Sequence, residues 1–389
     1  MGASTLLVYS FNYDTQGIGK YLTNITMAGF ILSEILASLL RRKIRIYPTV
    51  AIFTLFIGFC FFSILWSASL SNSWSRVLSL SLMLAYYLAL TNFVLAYIGS
   101  RARLYLFAKV LVISSLFAAV YLLLTSDWQS GTRINGVIGD SNQASAYLAY
   151  AIPVALYCES KKLLPKLLIV VDVIAIIVAI GVMGSRTGII VALFGIILYW
   201  IICSIQKGII SLRLITTTLL IIMAVVIICN FIMTNKVAYD IIGRRFESLF
   251  DILSGGVSKI NEGSYYERQA LYDLAIELFT SHPVIGVGID AYSSFAAISI
   301  RNTFSHNDYL QLLSCVGIVG FSLYYAQHVY LMKRFRYLEK MEFAVCLTLF
   351  VMLLVFHMTV VFYYQKLEFV FLAFLSCMVC LARNQKNIV

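Results

Sequence analysis

The sequence predicts an all-α polytopic membrane protein. Three observations carry that expectation: the apolar content, the length of the apolar runs and the placement of the basic residues. Of 389 residues, 61% are hydrophobic and 12% charged, with a mean hydropathy of +0.89. A soluble domain cannot take so much apolar surface out of water, because surface-to-volume scaling limits the buried fraction. Lipid must solvate the rest. Only 4 prolines interrupt the chain, so most runs can form helices, which satisfy their own backbone groups in hydrocarbon.

A hydrocarbon core of ~30 Å calls for about 20 apolar residues per helix. Runs near 22–40, 48–67, 77–98, 104–124, 143–159, 166–184, 187–206, 212–233, 307–329, 341–362 and 367–382 qualify, giving about eleven spans. The stretch 4–11 is half of a further helix and would bring the count to twelve.

The net charge of +11 does not form one patch, so nucleic acid is not an expected partner. The basic residues instead cluster after alternate runs. Arg41, Arg42, Lys43 and Arg45 follow the first, and Arg101 and Arg103 the third. Lys161, Lys162 and Lys166 follow the fifth, while Lys207 and Arg213 flank the gap after the seventh. Lys333, Arg334, Arg336 and Lys340 follow the ninth, and Arg383 and Lys386 the last. Positive loops stay in the cytoplasm. The connections 68–76, 125–142, 184–186, 234–306 and 363–366 are therefore expected to face outward, with the C-terminus cytoplasmic. This divides the chain into N-terminal spans (1–233, about eight), an outward loop domain (234–306) and C-terminal spans (307–389, about three). The opening residues lack a basic region and a full apolar core, so no cleavable signal peptide is expected.

All 8 cysteines lie in or beside apolar runs and read as small lipid-soluble side chains. Cys377 and Cys380 have C-x-x-C spacing, but on an apolar helix without neighbouring histidines, which does not suggest a metal site.

Within the outward loop, Ser264 and Glu267 read as a capping box opening a helix. Leu271, Leu274, Ala275 and Leu278 give that helix an apolar stripe, and Ser281-His282-Pro283 ends it before the turn-prone Gly286-Val287-Gly288. Such a helix would lie on the membrane surface or pack over the bundle mouth.

Three features point to chemistry. In SHNDYLQLLSCVGIVG, Ser305 and Asp308 read as a weaker capping pair, putting His306 in the first turn of an outward-opening helix. The helix dipole there favours a neutral imidazole suited to general-base work, although an interfacial structural histidine fits the pattern equally. Gly317 and Gly320, deeper on the same helix, would let a neighbour approach closely. Second, Arg186 in GSRTG (Gly184–Gly188) sits at an outward hairpin against the charge bias, beside Ser185 and Thr187. A lone arginine there suits a phosphate, or else snorkels to lipid headgroups. Third, Arg133, Arg244, Arg245, Arg268 and Arg301 also break the bias, with Arg268 in the first turn of the surface helix. Each alone is more simply structural; as a group they suggest an anionic ligand outside.

No outward carboxylate pair has DxD-like spacing, so no metal bridging a diphosphate is expected, and no glycine loop of the nucleotide-binding type occurs. Glu34 and Asp172 are the main intramembrane acids; Asp172 could serve an ion pathway but reads more simply as a local hydrogen-bonding residue.

Taken together, the GSRTG hairpin, the large outward loop and the H-N-x9-G-x-x-G run resemble the O-antigen ligase and O-antigen polymerase superfamily of bacterial envelope enzymes. RINGVIGDSNQASAYL (Arg133–Leu148) and ERQALYDLAIELFTSHPVIGVG add to the resemblance, which runs from about residue 130 to 365; the N-terminal third agrees only in hydropathy. It implies a GT-C-like helical bundle that transfers an oligosaccharide from undecaprenyl diphosphate without metal or cofactor. His306 would activate the acceptor hydroxyl, and Arg186 and Arg268 would neutralise the diphosphate. Asn307, Arg245, Arg301, Arg133 and Asn142 are further candidate substrate contacts, though the residues themselves suggest no role for Arg133 and Asn142. Partners implied are the lipid-linked oligosaccharide, membrane lipid, a flippase and a chain-length regulator. The chemistry agrees: a diphosphate leaving group needs charge stabilisation, the acceptor needs a base, and in-line attack inverts the anomeric centre.

A polymerase is the first reading, supported by the pattern of VFYYQKLEFVFLAFLS; a ligase delivering the glycan to lipid A–core or another acceptor is the second. A solute transporter is the third. It should carry polar residues near the midplane, whereas most here gather at one face. Loss of activity in Asp172→Asn with activity kept in His306→Ala would favour the transporter; the glycan-transfer reading expects the reverse in a chain-elongation assay.

Overall fold

A computed structural model describes residues 1–11, 18–42, 44–125, 141–206 and 262–386. The expected span 212–233, the loop residues 234–261 with Arg244 and Arg245, and Arg133 lie outside the described residues. All regular structure among the described residues is helical. Seven described helices are long and apolar enough to cross a membrane, as an all-α polytopic protein requires.

The stretch 4–11 does form a helix, α1 (Gly2–Phe11), packed on α2 (Ile18–Leu40) and on α5 (Ser100–Thr125). Between them come α3 (Pro48–Ser63), with proline at its first turn where no N–H is needed, and α4 (Leu70–Leu95). Next are α6 (Ser141–Ser160), α7 (Lys166–Val182) and α8 (Arg186–Gln206). The described chain resumes with α9 (Glu262–Ser281), α10 (Tyr292–Ser299), α11 (Asp308–Arg334), α12 (Lys340–His357) and α13 (Lys366–Lys386).

Among the described helices, two form the interior. α6 is buried on almost every side, and its small residues Ala144, Ser145, Ala149, Ala151 and Ala155 let α5, α7, α8 and α12 come close. α13 is buried from Leu367 to Val379 and packs on α4. The outer helices show lipid-compatible faces, as Leu32, Leu36 and Leu39 do on α2. At the end expected to be cytoplasmic, Arg101 pairs with Glu342 and Lys161 with Glu339. Among the acids singled out, Glu34 pairs with Arg41 at 3.4 Å, and Asp172 accepts a hydrogen bond from Ser115 at 3.2 Å. The described cysteines are free, Cys377 and Cys380 included.

The expectation of one straight helix over 307–329 is corrected. At Gly317 the backbone leaves the helical region (φ 61°, ψ −170°), and the two halves of α11 fold back on each other. Tyr309 stacks on Tyr325 with ring centroids 5.1 Å apart, and Tyr325 Oη reaches Asp308 Oδ2 at 3.3 Å. In a straight helix those last two residues would stand about 25 Å apart.

The segment after α9 fills the break. Ile318 N–H donates to Pro283 O (2.9 Å) and Val319 N–H to Val284 O (3.2 Å), while Val287 and Gly288 N–H groups donate to Ser314 O (3.0 Å) and Cys315 O (2.9 Å). Backbone groups freed by the bend are thus re-satisfied by backbone, which irregular chain inside a membrane bundle requires. Both chains need glycine at the crossing. A Cβ on Gly317 would come within 2.4 Å of the Val284 carbonyl, and one on Gly286 (φ +66°) within 2.4 Å of Cys315. The expected role of Gly317, admitting a neighbouring helix, is corrected: it admits an extended segment. Gly320 does face a helix, with Phe59 of α3 at 2.9 Å from a Cβ built there.

Gly317→Ala is expected to cost about 2–5 kcal/mol, combining a left-handed backbone with a backbone clash. Thermal unfolding in detergent micelles should show a large fall, against little change for Gly58→Ala, whose Cβ would meet nothing within 4 Å.

Candidate active site

The hairpin between α7 and α8 is built by GSRTG. Gly184 turns the chain at φ 61°, and Ser185, 1% exposed, caps α8 by accepting the Gly188 N–H at 3.1 Å. Ser145 Oγ donates to Ser185 Oγ (2.7 Å), which donates to Asn142 Oδ1 (3.1 Å). Gly188 is tight against Ser145, with 2.5 Å from a built Cβ to the serine Cβ. Asn142, for which the residues alone suggest no role, thus fixes the hairpin to the start of α6. Arg186 is the first residue of α8 and half-buried, so its guanidinium rises from the positive end of a helix dipole.

His306 is placed differently from expectation. α11 is capped by Asn307, whose Oδ1 accepts the Leu310 N–H at 3.1 Å. His306 therefore precedes the cap, in the left-handed region at φ 56°, half-buried with its ring 4.5 Å from that of Phe304. The expected Ser305–Asp308 pair is also corrected. Ser305 Oγ donates to Asn307 O (2.8 Å), and Asp308 Oδ1 accepts the N–H groups of Phe362 (2.9 Å) and Tyr363 (3.1 Å) from the turn between α12 and α13.

These ties gather the polar elements at one end of the bundle, the end the charge pattern predicts to face outward. Asn307 Nδ2 approaches Met358 O at 3.4 Å, and Gln143 Nε2, one residue from Asn142, approaches Val361 O at 3.5 Å. The turn 358–363 therefore joins the His306 loop to the α6 start that holds the Arg186 hairpin. His306 and Arg186 belong to the same end of the fold.

The loop helix α9 packs on α11 with Leu271, Ala275 and Leu278 buried, as the apolar stripe suggests. Its start is corrected: α9 begins at Glu262, so Ser264 lies inside it and Arg268 in its second turn. Glu267 pairs with Arg301, not with the helix start. Arg268 is half-buried and faces Tyr272, whose hydroxyl is raised by burial and lowered in part by that guanidinium.

One arginine of this end was not singled out by sequence. Arg76 of α4 pairs with Asp290 at 3.0 Å and lies 3.5 Å from the Tyr364 ring centroid. Burial pushes the Asp290 carboxyl above the usual aspartate range, and Arg76 opposes that rise. The signal was available, since Arg76 breaks the outward charge bias as Arg186 does. Below the mouth, Asp308, Tyr325, His357 and Glu368 form a buried polar group that sequence reasoning also missed.

The described helices make a multi-pass membrane fold with arginines and a histidine gathered at one end. Residues 170–325 match the profile of a family described as O-antigen ligase. The match covers GSRTG, the Arg268 helix and the His306 run, and supports the O-antigen polymerase and ligase superfamily that those motifs resemble. An activity of that general kind, a membrane polymerase or ligase, is what it supports. No curated protein matches the chain.

Ser185→Ala removes the α8 cap and the anchor for Asn142, and should cost about 1–2 kcal/mol in thermal unfolding. Ser185→Thr, which keeps the hydroxyl, should recover most of it.

Proposed function

We propose that the protein polymerises undecaprenyl-diphosphate-linked oligosaccharide repeat units at the outer face of a bacterial inner membrane. The observation that carries this reading is the linkage of the Arg186 hairpin and the His306 loop through one turn, 358–363. It supports a reading in which Arg186 binds phosphate and His306 accepts a proton at one mouth.

In this reading Arg186, backed by the α8 dipole, and Arg268 hold the diphosphate and take up the charge it gains on leaving. His306 accepts the proton of the acceptor hydroxyl as its oxygen attacks the anomeric carbon. The bond from that carbon to the diphosphate oxygen breaks, with inversion. The transfer step needs charge stabilisation and a base, both supplied by side chains, and no metal is assigned to it. A chain-length regulator and a flippase would act before and after this step without contributing to it.

The ligase reading is favoured by the description of the matched family. It differs in the acceptor, lipid A–core or another molecule in place of a second repeat unit.

The deciding assay supplies purified protein in nanodiscs with lipid-linked repeat units as the only glycan. A ladder of chain lengths from wild type, reduced about 10²–10⁴-fold in His306→Ala, is expected. An undiminished ladder in the variant would remove His306 from the chemistry. Transfer only after lipid A–core is added would establish the ligase.

A further inference from the structure

We propose that His328, His357 and Glu368 bind a divalent transition-metal ion, zinc by the chemistry of the set, inside the helix bundle. The three come from separate helices: His328 from the second half of α11, His357 from the end of α12 and Glu368 from the first turn of α13. All are buried, at 2%, 0% and 0% exposure, and their ligand atoms lie within 4.8 Å of one another. The inference is independent of the glycan-transfer reading, because it concerns residues given no part in that step.

Ligand geometry supports an ion. Tetrahedral zinc with bonds of about 2.0–2.2 Å holds its ligand atoms about 3.3 Å apart. His357 Nε2 and Glu368 Oε1 already stand 3.2 Å apart, and a ring nitrogen of His328 lies within 4.8 Å of both ligands. Glu368 Oε2 and His328 Nε2 are buried without a hydrogen-bond partner, which is costly in a bundle interior unless a ligand completes them.

The surroundings of His357 are those of a metal-bound imidazole. Its other nitrogen, Nδ1, is 3.1 Å from Tyr325 Oη and 3.7 Å from Asp308 Oδ2. A carboxylate behind a coordinating histidine fixes its tautomer and strengthens it as a ligand.

Charge balance points the same way. A divalent cation is the natural partner for carboxylates such as Glu368 and Asp308 held inside the bundle, where charge is tolerated only with a partner. Two imidazoles and one carboxylate favour zinc over magnesium or calcium, which prefer all-oxygen sites. The ion would pin α11, α12 and α13 together beneath the mouth, and through Asp308 steady the loop bearing His306.

The test uses the full chain, purified without a polyhistidine tag or chelator and placed in nanodiscs. Elemental analysis should find zinc in stoichiometric amount, and cobalt exchange should give the visible bands of a four-coordinate site. His328→Leu, which removes one ligand, and Glu368→Gln, which removes the charge of another, should each weaken metal affinity roughly 10–100-fold or more. Should either variant fail to fold, cobalt titration of the wild type decides alone. A wild type that holds no metal and takes up no cobalt would overturn the proposal in favour of a protonated His357 bridging two carboxylates. Metal retained undiminished by both folded variants would overturn it as well, by placing the ion elsewhere.

Discussion

The crossing of residues 283–288 over the break in α11 is the contact on which the rest of the mouth depends. Two chains meet backbone to backbone there, with glycine on both sides and four hydrogen bonds across the junction. Without the crossing, the bend at Gly317 would leave carbonyl and N–H groups unpaired inside the bundle, each costing several kcal/mol in a medium without water. With it, the first half of α11 can turn back and carry Asp308 against the α12–α13 turn. Asp308 draws in the N–H groups of Phe362 and Tyr363, and the same turn receives Gln143 and Asn307. The positions of His306 and the Arg186 hairpin follow from this chain of contacts.

The second organising constraint is electrostatic. Charges in or beside a bilayer are tolerated only with partners, and the described ends of the bundle show two solutions. At the end expected to face the cytoplasm, arginine and lysine pair with Glu339 and Glu342 from the start of α12. At the opposite end Arg76 is held by Asp290 and by the face of Tyr364, a cation–π arrangement that leaves little of it to water. Arg301 is tied to Glu267. The outward arginines are thus not equivalent, and those already paired are less suited to taking up substrate charge than their number in the sequence suggests.

Much of the architecture was legible in the sequence because membrane spans obey a one-dimensional rule. The runs 48–67, 166–184 and 187–206 each correspond to a helix, since length and apolarity alone decide them. The GSRTG motif was legible as a hairpin, yet its tie to Asn142 was not, because a contact between residues 43 positions apart leaves no local trace. The fold-back of α11 was hidden for a related reason. Gly317 in an apolar run looks like a packing glycine, and only its partner segment shows that its backbone freedom is in use. His306 was placed near a helix start but two residues too far in, since Asn307 caps as well as serine does and ends the contest between overlapping signals. His357 and Glu368 flank a short turn, and nothing local in the sequence brings His328 to them.

The fold-back also has a consequence for biogenesis. A chain enters the membrane from its N-terminus, so Asp308 is made before the groups that hold it: Tyr325, His357, Phe362 and Tyr363 all follow it in the sequence. An unpartnered carboxylate cannot settle in hydrocarbon, so the first half of α11 must wait near the interface until α12 and α13 have been inserted. Closing the re-entrant turn is then among the last events of assembly, and a chain truncated before the α12–α13 turn would hold its earlier spans without ever completing its mouth.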